Sequence, residues 1–300
     1  MNPVTEAETT EALNQATVTS PLAHLSAGQL EQLAAEFDAI HDEVYSDLGA
    51  RDRKYIQSMI EMHRRLAVLS RVLLLASTNR GAWLAGTVAN SAAKILENME
   101  IGHNVLHGQW DWMNDPQIHS TTWDWDTAST AEAWKHSYTN IRGKDKDLGY
   151  EIMRIDPDQK WHPVYLAQPF YSLLLMAFFE WGVALHDMDI EAIRKGEKPM
   201  SEVKEDIKGI AGKAKSQIVK DYVAWPAVTG LANVAASVAV SAATGELGKR
   251  KRGKAISKAL ERGRKSFRSA TTANFTANIV RNFWSYAIIF CGHFPDQTYI

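Results

Sequence analysis

Residues 222–244 read YVAWPAVTGLANVAASVAVSAAT, a run of 23 positions without a charged side chain. As a helix this run extends about 34 Å, enough to cover the ~30 Å hydrocarbon core of a bilayer. It is the cleanest candidate span in the chain, and three other apolar zones flank it. Leu66–Ile95 consists of LAVLSRVLLLAS, a break at Thr78-Asn79-Arg80-Gly81, and AWLAGTVANSAAKIL. Each half makes only about 18–21 Å of helix, so this zone reads as a hairpin that dips into or through a bilayer, or as a buried soluble hairpin. Val164–Leu185 (VYLAQPFYSLLLMAFFEWGVAL) holds one charge, Glu180, and an internal Pro169. Residues 271–292 are long enough to span, but Arg281 stands mid-way. A central Arg costs about 2.5–3.5 kcal/mol on insertion scales unless it faces protein or water.

The chain has 300 residues, 45% hydrophobic and 23% charged, which excludes a wholly disordered chain, a collagen-like repeat and a transporter apolar nearly throughout. A formal charge of −2 gives no global pointer to nucleic acid. The single cysteine, Cys291, cannot form an intramolecular disulfide, which suits a reducing compartment. Residues 1–24 carry no secretory signal and read as a mobile tail ahead of a membrane domain over 25–300. Ser26 and Gln29 form the pattern of a capping box. Leu30, Leu33, Phe37, Ile40 and Val44 then recur at helical spacing to about Leu48, and a second helix starts near Asp52. The basic residues are uneven, with eight Lys/Arg in 186–221 and ten, against two Glu, in 245–268. A single span at 222–244 sets these segments on opposite sides, against the positive-inside rule. Residues 245–268 read as a basic helix or loop resting on anionic head groups; no nucleic-acid recognition motif accompanies them.

His103 and His107 lie in Ile101-Gly102-His103-Asn104-Val105-Leu106-His107-Gly108. On a helix, i and i+4 share a face about 6 Å apart, so both imidazoles reach one metal. The spacing alone fits a pair of polar contacts at a helix end just as well. Five of the ten tryptophans, Trp110, Trp112, Trp123, Trp125 and Trp134, follow within 25 residues, interleaved with Asp111, Asp115, Asp124 and Asp126. Tryptophan favours the bilayer interface, where its ring is partly dry and its N–H finds a partner. The segment therefore points to metal chemistry at a membrane face, with a Trp-rich structural loop as the alternative.

The run ENMEIGHNVLHGQWDWMNDP (97–116), then WDWDTAST-AEAWKH (123–136), YTNIRGKDKDLGY (138–150) and IIFCGHFPDQ (288–297) resemble the integral-membrane fatty acid desaturases, the bacterial acyl-CoA branch most closely. The resemblance runs in order from about Leu25 to Ile300. It implies an all-α membrane protein with two hydrophobic hairpins and a cytosolic helical cap, whose histidine boxes hold two irons on the cytoplasmic face. It also implies insertion of a double bond into a long acyl chain, carried as acyl-CoA or acyl lipid, with O2 and two electrons from a separate reductase. Carried over residue by residue, His103 and His107 match the first box, HxxxH. His293 matches a further metal-ligating histidine, and His136 matches the edge of the second box.

Two departures bear on the chemistry. The family places a cluster of the form HNxxHHxYTN where this chain reads Trp134-Lys135-His136-Ser137-Tyr138-Thr139-Asn140, and the chain reaches Ile300 ahead of a third box, QxxHH. A diiron site needs about four or five ligands per metal, more than four histidines provide. His119, His162 and His186 read as capping, stacking or solvent-facing. The expectation is a desaturase-like oxidoreductase impaired in this chain, or a non-catalytic descendant that binds membrane lipid or a partner. In the family topology Val164–Leu185 is an interfacial helix, 222–244 pairs with 271–292 as the second hairpin, and 245–268 falls on the far side.

Overall fold

The structure, a computed structural model, describes residues 22–106, 108–120, 153–154, 160–186, 193, 195–196, 198–248 and 250–293. His107, His136 and nearly all of the 1–24 segment lie outside the described residues. The chain divides into two compact units, Met1–Tyr55 and Ile56–Ile300. The first carries α1 (Ala27–Asp47), started by the expected capping box: Gln29 N–H donates to Ser26 Oγ and Ser26 N–H to Gln29 Oε1. Next comes α2 (Ala50–Leu75), where the Asp52 carboxylate in the first turn accepts the Gly49 N–H at 3.0 Å.

In the second unit the chain turns back after Leu75. Asn79 caps α3 (Arg80–Ile95) by accepting the Ala82 N–H at 3.1 Å, so the break read at Thr78–Gly81 is the hairpin turn. Gly86 lets α3 approach closely, because a Cβ there would stand 2.9 Å from the Leu74 side chain. Further down the pair, His63 Nδ1 lies 2.9 Å from the Ala93 carbonyl. A π-helical turn, Leu96–Gly102, leads from α3 into the short α4 (His103–Leu106). There Ile56, Ile101, Val105, Trp110, Met113 and Ile118 form an apolar cluster, with Trp112 packed against it. Trp110 and Trp112 therefore serve packing, while Trp123, Trp125 and Trp134 lie outside the described residues.

Val164–Leu185 is not one continuous helix. It comprises a 3₁₀ turn (Pro163–Ala167) and α5 (Gln168–Ala177), then a break at Phe178 and α6 (Phe179–His186). Beyond it, α7 (Met200–Ile218), a second π-helical turn (Val219–Ala224) and α8 (Trp225–Ala243) form one rod. Among the described residues this is the one helix long and apolar enough to cross a membrane, and only 17% of its apolar window is buried. The described residues are helical or irregular, with no strand among them.

The largest departure from expectation is α9 (Arg252–His293). Its 42 residues join the basic segment to the last apolar zone in one helix, about 63 Å long at ~1.5 Å per residue. Ala255, Ala259, Ser266, Ala270, Ala273 and Ala277 are buried at steps of three, four and seven, a line of small side chains along which other helices dock. The neighbour of α8 is the basic half of α9, not 271–292. A Cβ on Gly230 would sit 3.0 Å from the Gly263 carbonyl, and one on Gly263 would sit 2.9 Å from the Gly230 carbonyl. Asp221 meets Asn274 and Asn278, so the two helices run antiparallel. The hairpin expected from 222–244 and 271–292 is thus displaced along α9. The sequence could not show this, because a small-residue line is invisible to a hydropathy window.

Two backbones in contact leave no room for a methyl group. Gly263→Ala should lower stability by about 1–3 kcal/mol, the usual cost of overpacking. Gly253→Ala on the same helix meets open space and should be neutral to mildly stabilising. Thermal unfolding of both variants in detergent checks the difference.

Candidate functional site

The π-helical turn at 219–224 turns Asp221 into the protein, where it is fully buried. Such turns insert one extra residue and often mark functional positions. Lys94 Nζ from α3 lies 2.7 Å from Asp221 Oδ2, and Arg71 from α2 lies 3.5 Å from Oδ1. Asn278 of α9 donates to Oδ2 at 3.2 Å and to the Tyr222 hydroxyl at 2.9 Å. Asn274, one turn earlier, donates to the Asp221 carbonyl at 2.6 Å, while its Oδ1 accepts from Arg71 at 2.7 Å and Asn90 at 3.0 Å. The Arg71 guanidinium also stands 4.9 Å over the Trp225 ring. One buried carboxylate thus binds four elements by charge and amide contacts together.

A second buried pair lies farther along α9. Arg281 ion-pairs with Glu180 of α6, and Gln217 of α7 donates to the same Glu180 Oε1 at 3.0 Å. Asn282 accepts from Arg281 and donates to the Ala177 carbonyl at 2.7 Å, tying down the end of α5. The mid-zone arginine therefore faces protein, the condition under which its cost is offset. Glu97 occupies the other π-helical turn, six residues before His103. Its Oε1 is sealed from solvent with no hydrogen-bond partner. Burial pushes this carboxyl up from its ordinary range, against the pull of Lys220, His63, Lys94 and Arg281.

His103 opens α4, its N–H donating to the Asn98 carbonyl across the π-helical turn, and its side chain is half-buried. α4 ends at Leu106, and Gly108, at φ 74°, precedes the 111–120 loop. Asp111 closes that loop by accepting from Ser120 N–H at 2.7 Å and Ser120 Oγ at 2.5 Å. His119 lies 3.8 Å from Asp111, and His162 caps the 3₁₀ turn by accepting the Val164 N–H at 3.3 Å. His293 is the last residue of α9, but its side chain, like His107 and His136, lies outside the described ones. Only His103 of the four expected ligands can thus be placed by its side chain. Among the described residues no group of three or more His, Cys, Asp or Glu side chains comes together to hold a metal. Of the histidines expected to hold iron, the described side chains include His103 alone, so the ligand set as a whole lies largely outside them.

The ionic layer was not read from the sequence, although a signal was present. Arg71 and Lys94 are isolated cations inside an otherwise apolar zone, and such residues mark buried partners or function. Asn274 and Asn278 repeat at i and i+4, which places both amides on one face.

Comparison with known proteins gives two relatives, from Mycobacterium tuberculosis strains CDC 1551 / Oshkosh and ATCC 25618 / H37Rv, each named NADPH-dependent stearoyl-CoA 9-desaturase. Each is 42% identical to this chain over 281 residues, covering 91% of the chain and 59% of the relative. The chain therefore spans about three-fifths of the length of the curated proteins it matches. No family model matches it, and no solved structure does.

Removing one partner of a buried ion pair leaves the others uncompensated, at about 3–5 kcal/mol. Asp221→Asn should therefore lower the unfolding temperature sharply, and adding Lys94→Met should restore part of the loss in a double-mutant cycle. Glu97→Gln should act in the opposite direction. A raised carboxyl pKa makes ionisation costly in the folded state, so the wild-type chain loses stability as pH rises toward that pKa. Thermal scans should show the Gln variant more stable at pH 8, with the gap closing below the ordinary carboxylate range.

Proposed function

This chain belongs to the desaturase family, and on that premise we propose that it is itself a membrane-bound long-chain acyl desaturase. The reaction would remove one hydrogen from each of two adjacent acyl methylenes while O2 is reduced to water, with two electrons from a separate reductase. Acyl-CoA is the substrate form we favour, with NADPH as the ultimate reductant, since the relatives' names carry both. The observation that carries this reading is 42% identity across 91% of the chain.

The membrane component rests on what the helices expose. Val68, Leu69, Val72 and Leu75 on α2, Leu84 and Val88 on α3, and Phe275, Val280, Phe283, Trp284 and Ile288 on α9 all face outward. The charges at the same positions along these helices, Arg71, Lys94 and Arg281, are turned inward and paired. Apolar outside and ionic inside is the arrangement hydrocarbon demands. We assign His103, His107, His136 and His293 as iron ligands, on a face turned to the cytoplasm where acyl-CoA and a reductase meet it. A second reading keeps the fold without the chemistry, as a desaturase-derived protein that binds lipid or a partner. The short stretch between Trp134 and Tyr138 favours it, because the second histidine box has one member there.

Iron content decides between the two. Detergent-purified protein should carry near-stoichiometric iron that is lost in a His103→Ala, His107→Ala double variant, and only the former should desaturate an acyl-CoA given reductase and NADPH. Background iron in both would remove the catalytic reading and leave the second.

A further inference from the structure

We propose that Glu97 and Lys220, one from each π-helical turn, form a buried proton-exchanging pair that supplies the protons consumed when O2 is reduced. This rests on the desaturase reading above and names the residues that meet its proton demand.

The demand follows from the stoichiometry. Two adjacent methylenes surrender two hydrogens, that is two electrons and two protons, while making two waters from O2 takes four of each. The other two electrons originate in NADPH and arrive through the reductase, and electrons passed between proteins bring no protons with them. Two protons must therefore reach the reacting face from water through the protein, and a site closed to bulk solvent needs a side chain to hand them on.

The fold sets an acid and a base side by side for this task. Glu97 stands in the turn Leu96–Gly102 and Lys220 in the turn Val219–Ala224. Turns of this kind recur at functional positions. Lys94, in the last turn of α3, holds Asp221 at 2.7 Å, so the residues flanking Glu97 and Lys220 bind the two turns together. Glu97 Oε1 is nevertheless sealed and takes no hydrogen bond. A carboxyl kept for structure alone would have that acceptor filled. The segment also leads to the expected ligands: His103 follows directly on the turn that holds Glu97, and α9, whose Arg281 acts on Glu97, ends at His293.

The surrounding charges fit exchange. Around Glu97 stand Lys220, His63 of α2, Lys94 of α3 and Arg281 of α9, yet burial outweighs them and pushes the carboxyl up. Around Lys220 stand Lys94, Glu97, Asp221 and Arg71; burial, aided by Lys94 and Arg71, pushes the ammonium down. An acid moved up and an amine moved down approach each other, so a proton passes between them at small cost. Asp221 shows the contrast within the same layer. Despite its burial, Lys94 and Lys220 hold its carboxyl down to about 2, and it stays ionised.

Infrared titration and turnover test the pair separately. At neutral pH the detergent-purified parent chain should show the carbonyl stretch of an un-ionised carboxylic acid, lost in Glu97→Gln. An ionised Glu97 would overturn the pair whatever the turnover. With reductase, NADPH and an acyl-CoA, Glu97→Gln and Lys220→Arg should each keep the parental iron content and at least the parental unfolding temperature. Both should desaturate roughly a hundredfold more slowly and spend several NADPH per double bond, the surplus leaving as reduced oxygen. Lys220→Arg is the decisive variant, because it keeps the charge that a structural role requires but never releases its proton. Parental turnover and coupling in that variant would overturn the delivery role and leave the desaturase reading intact. Slow turnover with lost iron or a lowered unfolding temperature would mark the pair as structural and overturn it as well. A parent chain without desaturation would overturn both readings together.

Discussion

The carboxylate of Asp221 is the point on which the arrangement of the second unit turns. Left alone, a buried carboxylate costs several kcal/mol, which only close and well-aligned partners offset. Lys94, Arg71 and Asn278 are those partners, and they arrive from α3, α2 and α9. Satisfying one charge therefore sets the mutual position of three helices and a π-helical turn. Asn274 extends the constraint by binding the Asp221 backbone and accepting from Arg71 and Asn90. Apolar contacts between helices tolerate sliding, whereas this set has one register.

That register has consequences along α9. With Asp221 against Asn274 and Asn278, an antiparallel α8 runs back along residues 252–270 and meets Gly263 at Gly230. In the other direction, Glu180 and Gln217 find Arg281 and Asn282 with their partners. The single long helix thus serves as a common spine, and its small side chains let its neighbours approach. The apolar belt and the cationic half of α9 are the outer consequences of the same inner alignment.

The π-helical turn at 96–102 sets where the first histidine pair begins. It ends at Gly102, and His103 opens α4, which runs to Leu106. Glu97, sealed within that turn, links it electrostatically to Lys94 and Lys220, neighbours of Asp221 in the ionic layer.

Local features were legible from residues alone because their causes are local. Ser26 with Gln29 and the Thr78–Gly81 break are determined by side chains within four positions of the backbone groups they satisfy. The family likeness of the HxxxH segment was legible for the same reason, being a matter of consecutive residues. The fate of Arg281 was foreseen only as a condition, that it face protein, and Glu180 supplies the partner from 101 residues away. The pairing of Asp221 with Lys94 and Arg71, and the choice of the basic half of α9 as the neighbour of α8, were decided by tertiary structure. Both depend on which buried charge finds which partner across long separations. No local pattern in the chain encodes that, because an isolated Lys or Asp looks the same whether its partner is water or another helix.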